Sequence, residues 1–477
     1  MAREGAEDRF QPVLEERTVT DLEVTGTIPA HLDGRYARIG PNRRDAGDHL
    51  FLGDGMAHGV RLRDGRAEWY RNRWIRTGPL ARALGERPRP GRRFAGMDYA
   101  VNTNVIQHGG RTLALVEAGT RPYELTPELE TVGVCDFDGT LPGGYTAHPH
   151  RDPATGELHA VSYFFGWGNR VQYSVLTAAG RVRRLVDIEV TGSPMMHDFS
   201  LTENHVILYD LPVTFAPEVV TRGMPSWMAR PTRSVLSRTV GHLPIPEWLI
   251  AGATRLGATD TDLPYRWDPS YPARVGVLPR SGGSDDVRWF EIEPCFVFHP
   301  LNAYEEDGTI VLDVVRHPRM FDTRRDPHEG GSTLDRWTID LAAGTVADRR
   351  LDDHHQEFPR INEALTGRPH RYGYGVAASG DDLGDGLAFD TVVKHDLAAE
   401  KTHTHHFGAT RYADEFVFVP DENPSAEDDG VLMGYVYDRE TGRSDLTFLD
   451  ARSLDLVAAV HLPVRVPAGF HGNWMPA

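Results

Sequence analysis

Residues Thr146 to Ala160 read TAHPHRDPATGELHA. At its centre, Asp152-Pro153-Ala154-Thr155-Gly156 is turn chemistry: Asp hydrogen-bonds its own backbone, Pro presets φ, and Gly tolerates the positive φ that closes the reversal. Short β-like runs flank it, so the stretch predicts a strand–turn–strand hairpin with His148 at the lip of its first strand. A lone histidine there means little, because most are surface or satisfied core residues. The same outline recurs at Asp340–Arg349 (DLAAGTVADR) and Asp438–Ala451 (DRETGRSDLTFLDA). Elsewhere, 48 Gly and 33 Pro divide the chain into short apolar or alternating runs such as HVILYDL, TIVLDVV and EFVFVP. That is an all-β pattern. Repeated small sheets without a fixed period predict a propeller-like array, which leaves few exposed strand edges. A pair of two-sheet sandwiches is the alternative.

One segment departs from this pattern. From Phe215 to Gly257 apolar residues fall at helical spacing, among them Trp227, Met228, Val235, Leu236, Val240, Leu243, Ile245, Trp248, Leu249 and Ile250, beside several arginines. Residues 213–262 are expected to form an apolar cap or insertion on one domain spanning 1–477. Such an excursion can shape an apolar mouth or dip into a lipid interface. A helical cap packed on the β core explains it equally well.

The totals set bounds. The 477 residues can bury a sizeable core, and 69 acidic against 51 basic side chains give a formal charge of −18. That field repels a phosphate backbone, so nucleic acid is not an expected partner. Arg82 to Phe94 (RALGERPRPGRRF) is the basic exception and reads as a solvated loop. Two cysteines, Cys135 and Cys295, make neither a disulfide framework nor a thiolate metal site. The N-terminus is charged, and no run approaches the ~18–20 apolar residues of a membrane span. A soluble, cytoplasmic protein is expected.

Of the 22 histidines, the densest tracts are Lys401–Gly408 (KTHTHHFG) and Leu351–Phe358 (LDDHHQEF). Neighbouring side chains on a strand face opposite ways, so His405 and His406 cannot both enter one interior. Both tracts read as exposed loops, including His354, His355 and His403. Four other histidines stand far apart, each beside a strand-like run: His148, His197, His299 and His471. In a radial fold such positions meet on one axis, where neutral imidazoles could hold iron, zinc, copper or nickel.

The ordered blocks GRYARIGPN, HLFLGDGMAHGVRL, TAHPHRDPATGEL, MHDFSLTENHVIL, FHPLNAYEEDGTIVLDVV, EFPRIN with RYGY, EFVFVP with EDDG, and FHGNW resemble the carotenoid cleavage oxygenase family from about Leu22 to Trp474. The resemblance implies a seven-bladed β-propeller with a helical or loop cap over an axial metal site. It implies one non-haem Fe(II) per chain on His148, His197, His299 and His471, with O2 as co-substrate. Three glutamates that hydrogen-bond ligand histidines fall on Glu117, Glu357 and Glu415. Thr103 matches a residue beside the open iron site. Phe51 matches an aromatic of the substrate tunnel, although core packing explains it equally well.

The family reaction splits a C=C bond and leaves an oxygen on each new carbonyl, with no general acid, base or covalent nucleophile required. Its substrates are carotenoids, apocarotenoids, stilbenes such as resveratrol or lignostilbene, and isoeugenol-like phenylpropenes. Phenol-cleaving members carry a lysine where this chain has Val116. An apolar residue there suits a polyene, so a carotenoid or apocarotenoid is the expected substrate and a stilbene or phenylpropene the alternative. A non-oxygenating isomerase, like the retinal pigment epithelium isomerohydrolase, and a non-catalytic ligand-binding propeller are the other classes. The motifs name neither the scissile bond nor the oligomeric state.

Overall fold

The computed structural model describes residues 7–44, 50–222, 224–255, 263–322, 331–379 and 388–477. Seven sheets of four to six antiparallel strands, plus a two-stranded ribbon, make up a seven-bladed propeller. Blades two to six are continuous in sequence, at 104–134, 150–189, 200–291, 296–352 and 356–406. Their neighbours are built from both ends of the chain. Arg17–Val19 and Gly34–Trp74 form blade one, completed on its inner edge by Gly472–Pro476, which pairs with Gly34–Asn42. Glu23–Gly26 is the outer strand of blade seven, beside Leu456–His461. Hence no clean sequence period emerges: two blades are spliced, and one carries an insertion.

Hairpin chemistry appears where the sequence predicts it. Gly156 adopts φ +69°, Ala154 N–H donates to Asp152 Oδ1 at 2.8 Å, and His150–Arg151 pairs with Leu158–Tyr163. Outer strands such as Val182–Glu189 alternate between half-buried and exposed positions, whereas Gly34–Asn42 is buried throughout. Inner strands are covered on both faces, so alternation is lost there.

The Phe215–Gly257 departure is helical: Pro217–Val220, Ser226–Thr239 and Glu247–Arg255 lie between Val213–Phe215 and Tyr265–Trp267, the ribbon attached to blade four. Residues 223 and 256–262 of the 213–262 segment lie outside the described residues. The last helix docks through Ile250 against Phe94 and Phe164, and Ile245 N–H donates to Gly166 O at 2.8 Å. Arg82–Phe94 is mostly exposed as expected, although its first two residues end a short helix and Phe94 is buried. Cys135 and Cys295 are buried free thiols.

The His-rich tracts need correction. His403, His405 and His406 lie on an outer strand, Lys401–His406, because its backbone completes blade six by pairing with Thr391–Asp396. His354 is exposed, but His355 is half-buried and its Nδ1 accepts the Ser332 N–H at 2.9 Å.

Gly166 has no room for a side chain: a Cβ would stand 2.5 Å from Ile250 Cδ1 and 2.6 Å from Phe164 Cε1. Gly166→Val should lower stability by about 1–3 kcal/mol through overpacking. Thermal unfolding checks this, and an unchanged Tm would show that the helix yields freely.

Candidate metal centre

Each blade's innermost strand carries one candidate residue at or just before it. In ring order these are His471, Thr103, His148, His197, His299, Glu357 and Glu415, beside strands Gly472–Pro476, Asn104–His108, His150–Arg151, Ser200–Leu201, Phe296–Glu306, Gln356–Arg360 and Val417–Pro420. Propeller geometry therefore gathers residues separated by up to hundreds of positions. Glu117 comes instead from the turn after Arg111–Leu115, where Ala118 and Gly119 both take positive φ.

Local irregularities aim two of these side chains. The register of Phe296–Glu306 shifts between Val297 and Asn302, bracketing His299. The register of Gln356–Arg360 shifts after Glu357, where Phe358 adopts φ +52°. Bulges of this kind redirect a side chain at a strand end. Phe358 N–H donates back to Glu357 Oε2 at 2.7 Å, fixing the carboxylate.

His148, His197, His299 and His471 are all buried, and one nitrogen of each lies within 4.8 Å of the others. His299 Nδ1 meets Glu357 Oε2 at 2.6 Å, and His471 Nδ1 meets Glu415 Oε1 at 3.0 Å. Glu117 Oε2 is 2.9 Å from His197 Nδ1, off the line of a good hydrogen bond. A carboxylate at Nδ1 holds the proton there and leaves Nε2 as a lone pair. His197 Nε2 and His299 Nε2 nonetheless face each other at 3.3 Å. Either a shared proton or a cation between them satisfies that pair. His148 Nε2 is likewise buried without a hydrogen-bond partner.

Electrostatics divide the four. Burial, followed by the neighbouring imidazoles, drives the His148 pKa well below the ordinary histidine value. Burial also lowers His471, against the pull of Glu415. Burial opposes charge on His299 too, but Glu357 outweighs it and raises that pKa. Glu357 and Glu415 resist the upward push of burial and stay well below the carboxylate range, held by His299 and His317 in one case and by Arg360 and His471 in the other. Glu117, Glu357, Glu415 and Asp198 set four carboxylates against the one guanidinium of Arg360, an excess of negative charge around the ligands that a divalent cation would offset. The donor set fits a divalent metal.

Sequence reasoning missed the outer contacts. Arg360 Nε donates to Glu415 Oε1 at 2.9 Å, and His317 Nε2 meets Glu357 Oε1 at 2.6 Å. Arg360 sits inside EFPRIN, a block already singled out; His317 ends a strand with no local signal.

Two cavities meet at the histidines. One is lined by Phe51, Thr103, Val116, Phe298, Phe358 and Phe470 among others. Phe51 stacks on Phe470 there, with ring centroids 5.6 Å apart. The other, of about 550 Å³, opens along the propeller axis between polar side chains that include His150, Asp198, Asn104 and Asn473.

A seven-bladed propeller with four axial histidines, set between an apolar and a polar chamber, could hold a divalent metal beside an apolar substrate. Residues 10–476 match the family model described as "RPE65: Retinal pigment epithelial membrane protein". A carotenoid cleavage oxygenase of Mycobacterium tuberculosis is 56% identical over 98% of this chain and 96% of its own length. The solved cobalt-substituted apocarotenoid oxygenase of Synechocystis superposes with a TM-score of 0.82 at 26% identity, covering 99% of both chains. A Pseudomonas brassicacearum lignostilbene dioxygenase gives 0.81 at 27% identity, over 98% of this chain and 97% of that one. The chain belongs to the carotenoid oxygenase family and is an enzyme of its dioxygenase type.

Two substitutions test the centre. His299→Ala should abolish stoichiometric metal binding in a folded protein; full metal content would remove His299 from the ligand set. Glu357→Gln should weaken metal affinity by roughly 10–100-fold while the fold survives. Chelator competition measures this, and unchanged affinity would show that the carboxylate does not act through His299.

Proposed function

We propose that this protein is a non-haem Fe(II) dioxygenase that cleaves one C=C bond of a carotenoid or apocarotenoid to two carbonyl products. The observation that carries this reading is the apolar chamber against the four histidines, with Val116 on its wall where the family resemblance implies a lysine in phenol-cleaving members. Kinship to the mycobacterial carotenoid cleavage oxygenase supports it.

His148, His197, His299 and His471 would hold the iron, and Glu117, Glu357 and Glu415 would keep the imidazole tautomers fixed. Bound Fe(II) supplies the activation of O2 beside the double bond. Phe51, Phe298, Phe358 and Phe470 line the chamber, exclude water and orient the polyene, so chamber shape selects the bond that breaks. Thr103, on the chamber wall with its Oγ1 donating to Asn102 Oδ1 at 3.1 Å, limits what approaches the metal from the open side. Both atoms of O2 enter the products, one on each new carbonyl.

The 213–262 segment collects this apolar substrate at a lipid surface. Trp227 and Trp248 are 76% and 72% exposed, alongside exposed Val235, Leu243 and Leu249. Arg230, Arg233 and Arg238 lie on the same helix as Trp227 and suit anionic headgroups. No helix among the described residues is long and apolar enough to cross a membrane, so the contact is peripheral.

Fe(II)-loaded protein incubated aerobically with an apocarotenal and resveratrol together should yield polyene-derived carbonyls by mass spectrometry. Hydroxybenzaldehydes from resveratrol instead would overturn the substrate reading while leaving the metal centre standing. Trp227→Ser combined with Trp248→Ser should reduce co-sedimentation with phospholipid vesicles severalfold. Undiminished co-sedimentation, or none by the parent protein, would contradict the lipid contact.

A further inference from the structure

His148 is the one axial histidine with no glutamate at its Nδ1. The nearest carboxylate is Asp198, whose Oδ2 lies 3.8 Å from His148 Nδ1. That is about 0.8 Å beyond an ordinary N–H···O distance. Asp198 is buried, with only 6% of its side chain exposed. Its other oxygen, Oδ1, is taken: it accepts the Phe199 N–H at 2.7 Å and meets His150 Nε2 at 2.7 Å. His150 is itself fixed by an edge-on contact with the Phe199 ring, centroids 4.8 Å apart. His148 and His150 stand two residues apart around Pro149, and both side chains reach toward Asp198. Both line the polar axial cavity with Asp198.

The placement has one parallel in the ring, the pair of His299 and Glu357. Glu357 serves His299 from the next blade in sequence, and Asp198 faces His148 from the next blade in the same way. We infer that Asp198, held by His150 and the Phe199 N–H, is the positioning carboxylate of His148, and that a small rotation of the ring on metal binding closes the 3.8 Å gap. This anchors His148 from the polar chamber, which Glu415 beside His471 also lines. The inference rests on the four-histidine metal reading above.

The test uses full-length protein with Co(II) as a spectroscopic probe and Fe(II) for affinity. Asp198→Asn keeps the size of the residue and an acceptor for Phe199 N–H. It should raise the metal Kd about tenfold or more, hasten loss of metal to a chelator, and alter the Co(II) visible spectrum. Asp198→Glu, which retains the charge on a longer arm, should recover most of the affinity and the parent spectrum. Should Asp198→Asn fail to fold, His150 carries the test. His150→Phe removes the donor that holds Asp198 and should raise Kd severalfold, whereas His150→Gln, which keeps a donor, should stay within about twofold of the parent. Folded Asp198→Asn or His150→Phe with parental Kd, release rate and spectrum would overturn the inference. A parent protein that takes up no stoichiometric metal would overturn the metal reading itself.

Discussion

Pairing of Gly34–Asn42 with Gly472–Pro476 closes the ring, and the site depends on that closure. An open row of blades has no axis. The closing strand is also the one that follows His471, so ring closure and completion of the histidine set are the same event. The join is reinforced from several directions. Asp414 receives Arg9 and Arg38, each with a nitrogen 3.3 Å away, tying the N-terminal segment and the first inner strand to the residue beside Glu415. Arg360 reaches across from blade six to the Gly472 carbonyl at 2.9 Å as well as to Glu415. The closure is thus stitched by the same buried charges that orient His471.

Once the axis exists, the chemistry follows from four buried imidazoles gathered beside carboxylates. Carboxylates at the Nδ1 atoms of His299 and His471 turn the Nε2 atoms toward the axis, where His197 Nε2 and His299 Nε2 stand 3.3 Å apart. Burial opposes protonation at His148 and His471. A divalent cation satisfies all four imidazoles and the surplus carboxylate charge together. The two chambers then divide the work: an aromatic one for an apolar substrate, and a polar one along the axis.

Much of this was legible in the sequence, for identifiable reasons. Hairpins such as Arg151–Ala160 carry local turn chemistry that needs no tertiary context. His148, His197, His299, His471, Glu117, Glu357 and Glu415 stand in blocks whose order resembles the family, so residues far apart could be read as one set. Blade number was not countable from the residues, because the first and last blades are spliced from both termini and inner strands lose their alternation. His317 and the half-buried His355 were hidden for another reason. Their partners, Glu357 and Ser332, are 40 and 23 residues away and meet them only through sheet register. The strand carrying His403, His405 and His406 reads as a loop in the sequence because an exposed outer strand has the polarity of a loop.

The most direct test of the account is X-ray absorption at the iron edge of Fe(II)-loaded protein. Multiple scattering from four imidazole rings is the predicted result. A spectrum that requires fewer than four imidazoles, or a sulfur ligand, would contradict the convergence of His148, His197, His299 and His471 on one metal.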